Sequence, residues 1–238
     1  MKQPRFELGS LLRVASAIAL SQAVEAAADS LKIDEAPPLI RPGEARVVDP
    51  GELPPKLEEY AEKLRRQNLK MTLGNVPVYR GPEGSFKAMQ AMAMSSDAPS
   101  DCAKHSFEPV PAAALGLAGA RIARTDWDSP SRCSDGRASR VTRVIVAPGD
   151  KIVSLTEWDF GADGGGITQS SSAVNASLHG VPAVLVGSSS DSGASCWRMT
   201  WQSSMISYEM TMCEASFRVD APQAMLDMGT GVAAVMPR

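Results

Sequence analysis

Cys196-Trp197-Arg198-Met199-Thr200-Trp201-Gln202 and, after a short break, Ile206-Ser207-Tyr208-Glu209-Met210-Thr211-Met212-Cys213 decide the fold. In both runs large apolar side chains alternate with polar ones. A strand sends successive side chains to opposite faces, so each run has one hydrophobic face. A four-residue turn over 203–206 joins them as an antiparallel hairpin. Trp201 then lies opposite Tyr208, Met199 opposite Met210, and Cys196 opposite Cys213. The apolar partners share one face and the cysteines share the other. A competing register pairs Arg198 with Glu209 and separates the cysteines. The first register is preferred, because closing a loop of this size with a disulfide contributes roughly 3 kcal/mol, and an exposed ion pair about 0 to 1 kcal/mol.

The hairpin needs a partner for its apolar face. The sequence supplies one downstream, where Asp220 reads as the N-cap of a last helix and Pro222 falls within its first turn. Ala224, Met225, Met228 and Val232 form the stripe that packs on Trp197, Trp201 and Tyr208. Gly229 and Gly231 weaken the end of that helix. Upstream, Ala120–Trp127, Val141–Val146 and Lys151–Phe160 are β-rich, the last two joined through Pro148-Gly149-Asp150. A turn at His179-Gly180 leads into a strand at Ala183–Val186. Gly161–Ser172 and Gly187–Ser195 read as loops, and Met71–Tyr79 as one strand. Phe86–Met94 has apolar positions without a clear period. Lys56–Leu69 carries Leu57, Tyr60, Ala61 and Leu64 at helical spacing, with acidic residues ahead of Arg65 and Arg66, as the helix dipole favours. The expected fold is α+β: an antiparallel sheet of about five to seven strands, packed with an N-terminal and a C-terminal helix.

The first residues read differently. Lys2 and Arg5 precede the small-residue apolar run Leu11–Val24, which ends in Glu25-Ala26-Ala27-Ala28. That is the pattern of a secretory signal peptide over 1–28. Arg13 interrupts the run, so it is too short to anchor in a bilayer, and no integral membrane span is expected. Residues 29–55, rich in Pro and charge, read as a linker or extended arm. The α+β domain occupies 56–238, with a possible subdivision near 95–106.

Four cysteines, an even number, fit an oxidising, periplasmic or extracellular compartment. With Cys196 and Cys213 paired, Cys102 and Cys133 remain for a second bridge. None has the C-x-x-C spacing of a zinc site, and no metal ligand set or cofactor site is read from the chain. The net charge is −3, which supplies no basic surface for nucleic acid.

Residues 107–236 also follow a recognisable order. Phe107-Glu108-Pro109-Val110-Pro111 leads to Gly119-Ala120-Arg121-Ile122. Then come His179-Gly180-Val181-Pro182-Ala183, Met199-Thr200-Trp201, Tyr208-Glu209-Met210 and the last helix. This resembles the small C-terminal domains of anti-sigma-factor-like and RseB/MucB-like envelope regulators, with Ser134-Asp135-Gly136-Arg137-Ala138-Ser139 similar to a further segment of the RseB type. Ala120 stands where those domains have an aromatic. The resemblance implies an α+β fold, an envelope role and a protein partner. It brings no active-site residue.

The chemistry-bearing residues are few. His105 and His179 are the only imidazoles, and no Gly-x-Ser-x-Gly elbow accompanies the loop serines. Glu157 and Asp159 share a strand face and read as an exposed edge. The glycine loop 161–166 lacks a phosphate-binding lysine. Asn175-Ala176-Ser177 is a glycosylation sequon. Trp197, Trp201, Tyr208, His105 and His179 are the candidate binding residues, and no catalytic residue is assigned. The expected function is an exported, non-enzymatic binding or regulatory domain of the bacterial cell envelope. The alternatives are a secreted hydrolase using His105 or His179 with a serine, and a carrier of an apolar ligand.

Overall fold

The computed structural model describes residues 43–52, 55–95, 104–127, 137–162 and 166–236. The residues read as a signal peptide, most of those read as the arm, and Cys102 and Cys133 lie outside these residues. The strands are β1 (Ala45–Val48), β2 (Leu69–Leu73), β3 (Val76–Arg80), β4 (Lys104–His105), β5 (Arg121–Trp127), β6 (Arg137–Ala138), β7 (Arg140–Ala147), β8 (Lys151–Asp159), β9 (Ile167–Ser170), β10 (Ala176–Leu178), β11 (Val181–Ser189), β12 (Ser195–Gln202) and β13 (Ile206–Glu214). The helices are α1 (Pro55–Asn68), α2 (Ser85–Met94) and α3 (Ala221–Ala233).

The fold is α+β around a nine-stranded sheet ordered β2-β3-β11-β12-β13-β8-β7-β5, with β10 added beside β11. This exceeds the expected five to seven strands, and a third helix joins the expected two. The additions have identifiable causes. Met71–Tyr79 is a hairpin rather than one strand, because Gly74 turns the chain with φ +61°. The loop expected at Gly187–Ser195 begins as strand, since β11 runs on to Ser189 and meets β3 in parallel. The loop expected at Gly161–Ser172 holds β9, which pairs in parallel with β1 from the arm, Ala45 opposite Ile167. Parallel partners are distant in sequence and carry no turn signature.

The central hairpin has the expected register. Cys196 pairs with Cys213, Met199 with Met210 and Trp201 with Tyr208. Ser203 N–H donates to Ile206 O at 2.9 Å and closes the turn. The Cys196–Cys213 disulfide joins Cα atoms 4.1 Å apart. Two further hairpins turn on residues held left-handed, Gly149-Asp150 and His179-Gly180. Consecutive positive φ values give such turns the twist of the strands they join.

The core lies between the apolar sheet face and α3. Trp197, Met199, Trp201, Tyr208, Met210 and Met212 are all fully or almost fully buried. Trp201 and Tyr208 stack with ring centroids 5.3 Å apart. Trp201 Nε1 donates to Met236 Sδ at 3.1 Å, tying the chain end to the sheet. Helix α3 buries Met225, Met228 and Val232, as its stripe requires, together with Ala221 and Gly229. Its glycines are not merely weak positions. A Cβ at Gly231 would stand 2.1 Å from the backbone oxygen of Ala114. The helix starts after Asp220, but the carboxylate does not cap it and pairs instead with Arg218.

Glu157 and Asp159 are not an exposed edge. Strand β8 sits inside the sheet between β13 and β7. Glu157 is fully buried and pairs with Arg143. It also accepts the Val110 N–H at 2.8 Å, while Arg143 Nη1 donates to Val110 O at 2.5 Å. This cluster fastens the segment around Val110 to the sheet. Asp159 accepts the Ala162 N–H at 2.9 Å as the chain leaves the strand.

Candidate functional site

The sheet's two faces differ in chemistry. On the face opposite α3, the register places side chains in rows across the strands. Ser188, Cys196, Cys213, Ile152 and Val146 form one row, and Val186, Arg198, Thr211, Ser154 and Val144 the next. The following row is Val184, Thr200, Glu209, Thr156, Thr142 and Asp126. A polar band thus crosses the sheet beside the disulfide.

Helix α2 lies on this face, close to β5, β7, β8, β12 and β13. Both of its ends are pinned. Before its start, Gly81 N–H donates to Ser189 O at 2.9 Å, and the Glu83 carboxylate accepts the N–H groups of Asp191 and Ser192 and the Ser192 hydroxyl. The Ser192 bonds hold the Glu83 carboxyl below its ordinary value. Beyond the helix end, Ser95 Oγ accepts from Arg124, whose Nε also meets Asp126 at 2.6 Å. The helix has no fully buried residue; Phe86, Ala88, Met89, Met92 and Ala93 are half-buried while Ala91 and Met94 are exposed, which is why Phe86–Met94 lacks a sharp period in sequence.

Other arginines on this face have an ion pair or a ring beside them, although the Arg140 Nε is sealed from solvent without a hydrogen-bond partner among the described residues. Arg124 holds Asp126, and the Arg140 guanidinium lies 4.9 Å from the centre of the Trp158 ring. Thr142 and Thr156 share a hydrogen bond of 2.9 Å. Arg198 is different. It is 9% exposed, yet among the described residues no hydrogen bond or ion pair reaches its side chain. Burial pulls its pKa down, and the charge of Glu209 opposes that from a distance. None of its nitrogens is among the atoms sealed from solvent without a partner. Thr211, directly opposite, Thr200 and Glu209 complete a square on β12 and β13, and the side chains of these three also make no hydrogen bond among the described residues. The square was missed in sequence although its signal was present. Choosing the register that joins the cysteines sets Arg198 and Glu209 on a diagonal, with neither opposite a countercharge.

The other candidate residues are scattered. Trp197, Trp201 and Tyr208 lie beneath α3 on the opposite face, buried in the core. Burial and the nearby Glu157 charge push the Tyr208 hydroxyl up to about 12, so it stays protonated. His179 is an exposed turn residue. His105, also exposed, stacks on Trp127 with ring centroids 3.6 Å apart. Neither imidazole hydrogen-bonds to a serine, a cysteine or a carboxylate among the described residues. The structure gives no geometry for Cys102 or Cys133, which fall outside the described residues. Asn175 of the sequon is engaged like a strand residue, donating to Leu185 O and accepting from Leu185 N–H, each at 2.8 Å.

Among the described residues no group of three or more His, Cys, Asp or Glu is placed to hold a metal, and no helix is long and apolar enough to cross a membrane. No family model and no curated protein matches the chain. Of solved structures, the extracellular domain of PknH from Mycobacterium tuberculosis aligns at 12% identity over 51% of this chain and 89% of that one, with a TM-score of 0.27. A likeness of that size transfers neither function nor binding residues to this chain.

Proposed function

We propose that this chain is an exported, non-enzymatic binding domain of the bacterial cell envelope, and that it binds through the sheet face bearing the disulfide. The observation that carries the binding reading is the square around Arg198, a largely buried cation whose side chain has no hydrogen-bond partner among the described residues and whose nitrogens are not sealed from solvent. A guanidinium largely withdrawn from water and given no protein acceptor favours a ligand that supplies one. The Cys196–Cys213 disulfide supports export. The signal-peptide pattern over 1–28 and the resemblance to anti-sigma-factor-like and RseB/MucB-like envelope regulators agree with it, and a protein partner in the envelope follows from that resemblance. The reading is tested by expressing the full chain in a bacterium, fractionating the cells, and weighing the product intact. Recovery outside the cytoplasm, shortened by the residues up to Ala26 or Ala28 and disulfide-bonded, is the expected outcome. A full-length cytoplasmic product with free thiols would overturn it.

A further inference from the structure

We infer that the Arg198–Thr211–Thr200–Glu209 square binds a small zwitterion of α-amino-acid size, its carboxylate on Arg198 and its ammonium on Glu209. The inference rests on reading this face as the binding face and names the ligand's chemistry.

The four residues are one local unit. Arg198 faces Thr211 and Thr200 faces Glu209 in neighbouring register pairs. All four therefore project from the side that carries the Cys196–Cys213 bridge. Diagonal positions of this kind lie about 7–8 Å apart along the sheet. Arg198 and Glu209 are close enough for the carboxylate to act on the guanidinium through space, but they form no ion pair. Thr200 and Thr211 occupy the other two corners of the square.

A guanidinium has five N–H donors in a fixed fork and no acceptor. Here, with 9% of the residue exposed, none of the five finds a protein acceptor among the described residues. A carboxylate matches that fork with two parallel hydrogen bonds. Glu209 offers only acceptors, so the ligand's other end must donate. The two hydroxyls can donate or accept at either pole. Other arginines on this face lie outside the square, Arg124 paired with Asp126 on β5 and Arg140 over Trp158 in the next row.

The same arrangement argues against a phosphate. A dianion would gain at Arg198 and be repelled by Glu209, and no second free cation stands in the square. A zwitterion presents each pole with its opposite. It also removes two unmatched charges in one event.

The test is an NMR titration of the full chain, following the Arg198 Nε–Hε resonance and the backbone amides of Thr200 and Glu209. The probes are glycine, acetate, methylammonium and inorganic phosphate, with sodium chloride at matched ionic strength. Glycine is expected to shift Arg198 and Glu209 saturably. Acetate should act on Arg198 more weakly, and methylammonium on Glu209 alone. Arg198→Gln should abolish the glycine response. Thr211→Val, which keeps both charges and the strand, should weaken it several-fold even if the arginine variant does not fold. An Arg198 signal unmoved by glycine, or moved equally by sodium chloride or more by phosphate, would overturn the assignment. Such a failure is distinct from that of the export reading, which depends on cell fractionation.

Discussion

At the residue scale, two glycines and one carboxylate show how little freedom the core leaves. Gly231 approaches the backbone oxygen of Ala114, which cannot move aside without shifting the short 3-10 turn at Ala112–Leu115. At Gly229 an added Cβ would meet the Met199 Cε, the far end of a flexible side chain. Overpacking costs about 1–3 kcal/mol. Gly231→Ala is expected at or above the top of that range and Gly229→Ala near the bottom, and urea unfolding of the two variants checks the order. Glu157 was legible as a polar residue on an alternating strand, but its burial was not. Only the tertiary placement of Val110 and Arg143 makes that site polar. Breaking a buried pair leaves a charge uncompensated at about 3–5 kcal/mol. Arg143→Met, which leaves the Glu157 carboxylate buried and unpaired, should therefore destabilise the protein by that order near neutral pH, measured by the same unfolding.

At the element scale, the β12–β13 hairpin was readable because its period of two, its cysteines and its turn all select one register. The β7–β8 and β10–β11 turns were readable from Pro-Gly-Asp and His-Gly. The parallel pairings β3–β11 and β1–β9 were not, because their partners are far apart in the chain. Helix α2 was not readable either, since a helix half-buried along its apolar positions has no sharp hydrophobic stripe. The hairpin staple gives a prediction of its own. Replacing Cys196 and Cys213 together by Ser should cost roughly 3 kcal/mol of the oxidised protein's stability. Differential scanning calorimetry should show the variant melting lower while its far-ultraviolet dichroism stays sheet-like. His179 lies at φ +51°, where a β-branched side chain is strained and Asn is tolerated. His179→Val should destabilise by about 1–2 kcal/mol, and His179→Asn should be neutral or slightly stabilising, both read from thermal midpoints.

At the scale of the whole molecule, one sheet separates two chemistries. One face is a sealed core under α3, and the other carries a polar band under α2. The candidate binding aromatics Trp197, Trp201 and Tyr208 belong to the first face, so the alternation that revealed the fold also drew attention away from the second. The pH response should reflect the buried carboxylate. Burial, the largest influence, raises the Glu157 pKa above its ordinary value of 4.5, against the pull of Val110 and Arg143. The folded state then binds more protons than the unfolded chain in the window just above pH 4.5. Glu157 therefore favours folding below that window, and its contribution falls away as pH rises through its folded pKa. Stability-versus-pH curves of the wild type and Glu157→Gln should converge in slope above the window and differ inside it.

Everything on either face depends on strands β12 and β13 pairing with Cys196 against Cys213. Peptide mapping of the folded, unreduced protein by mass spectrometry reads that pairing directly. A single cross-linked species joining the peptide of Cys196 to that of Cys213, split by reduction, is expected. Cys196 found free, or joined to Cys102 or Cys133, would contradict the register and remove both the core and the Arg198 square built on it.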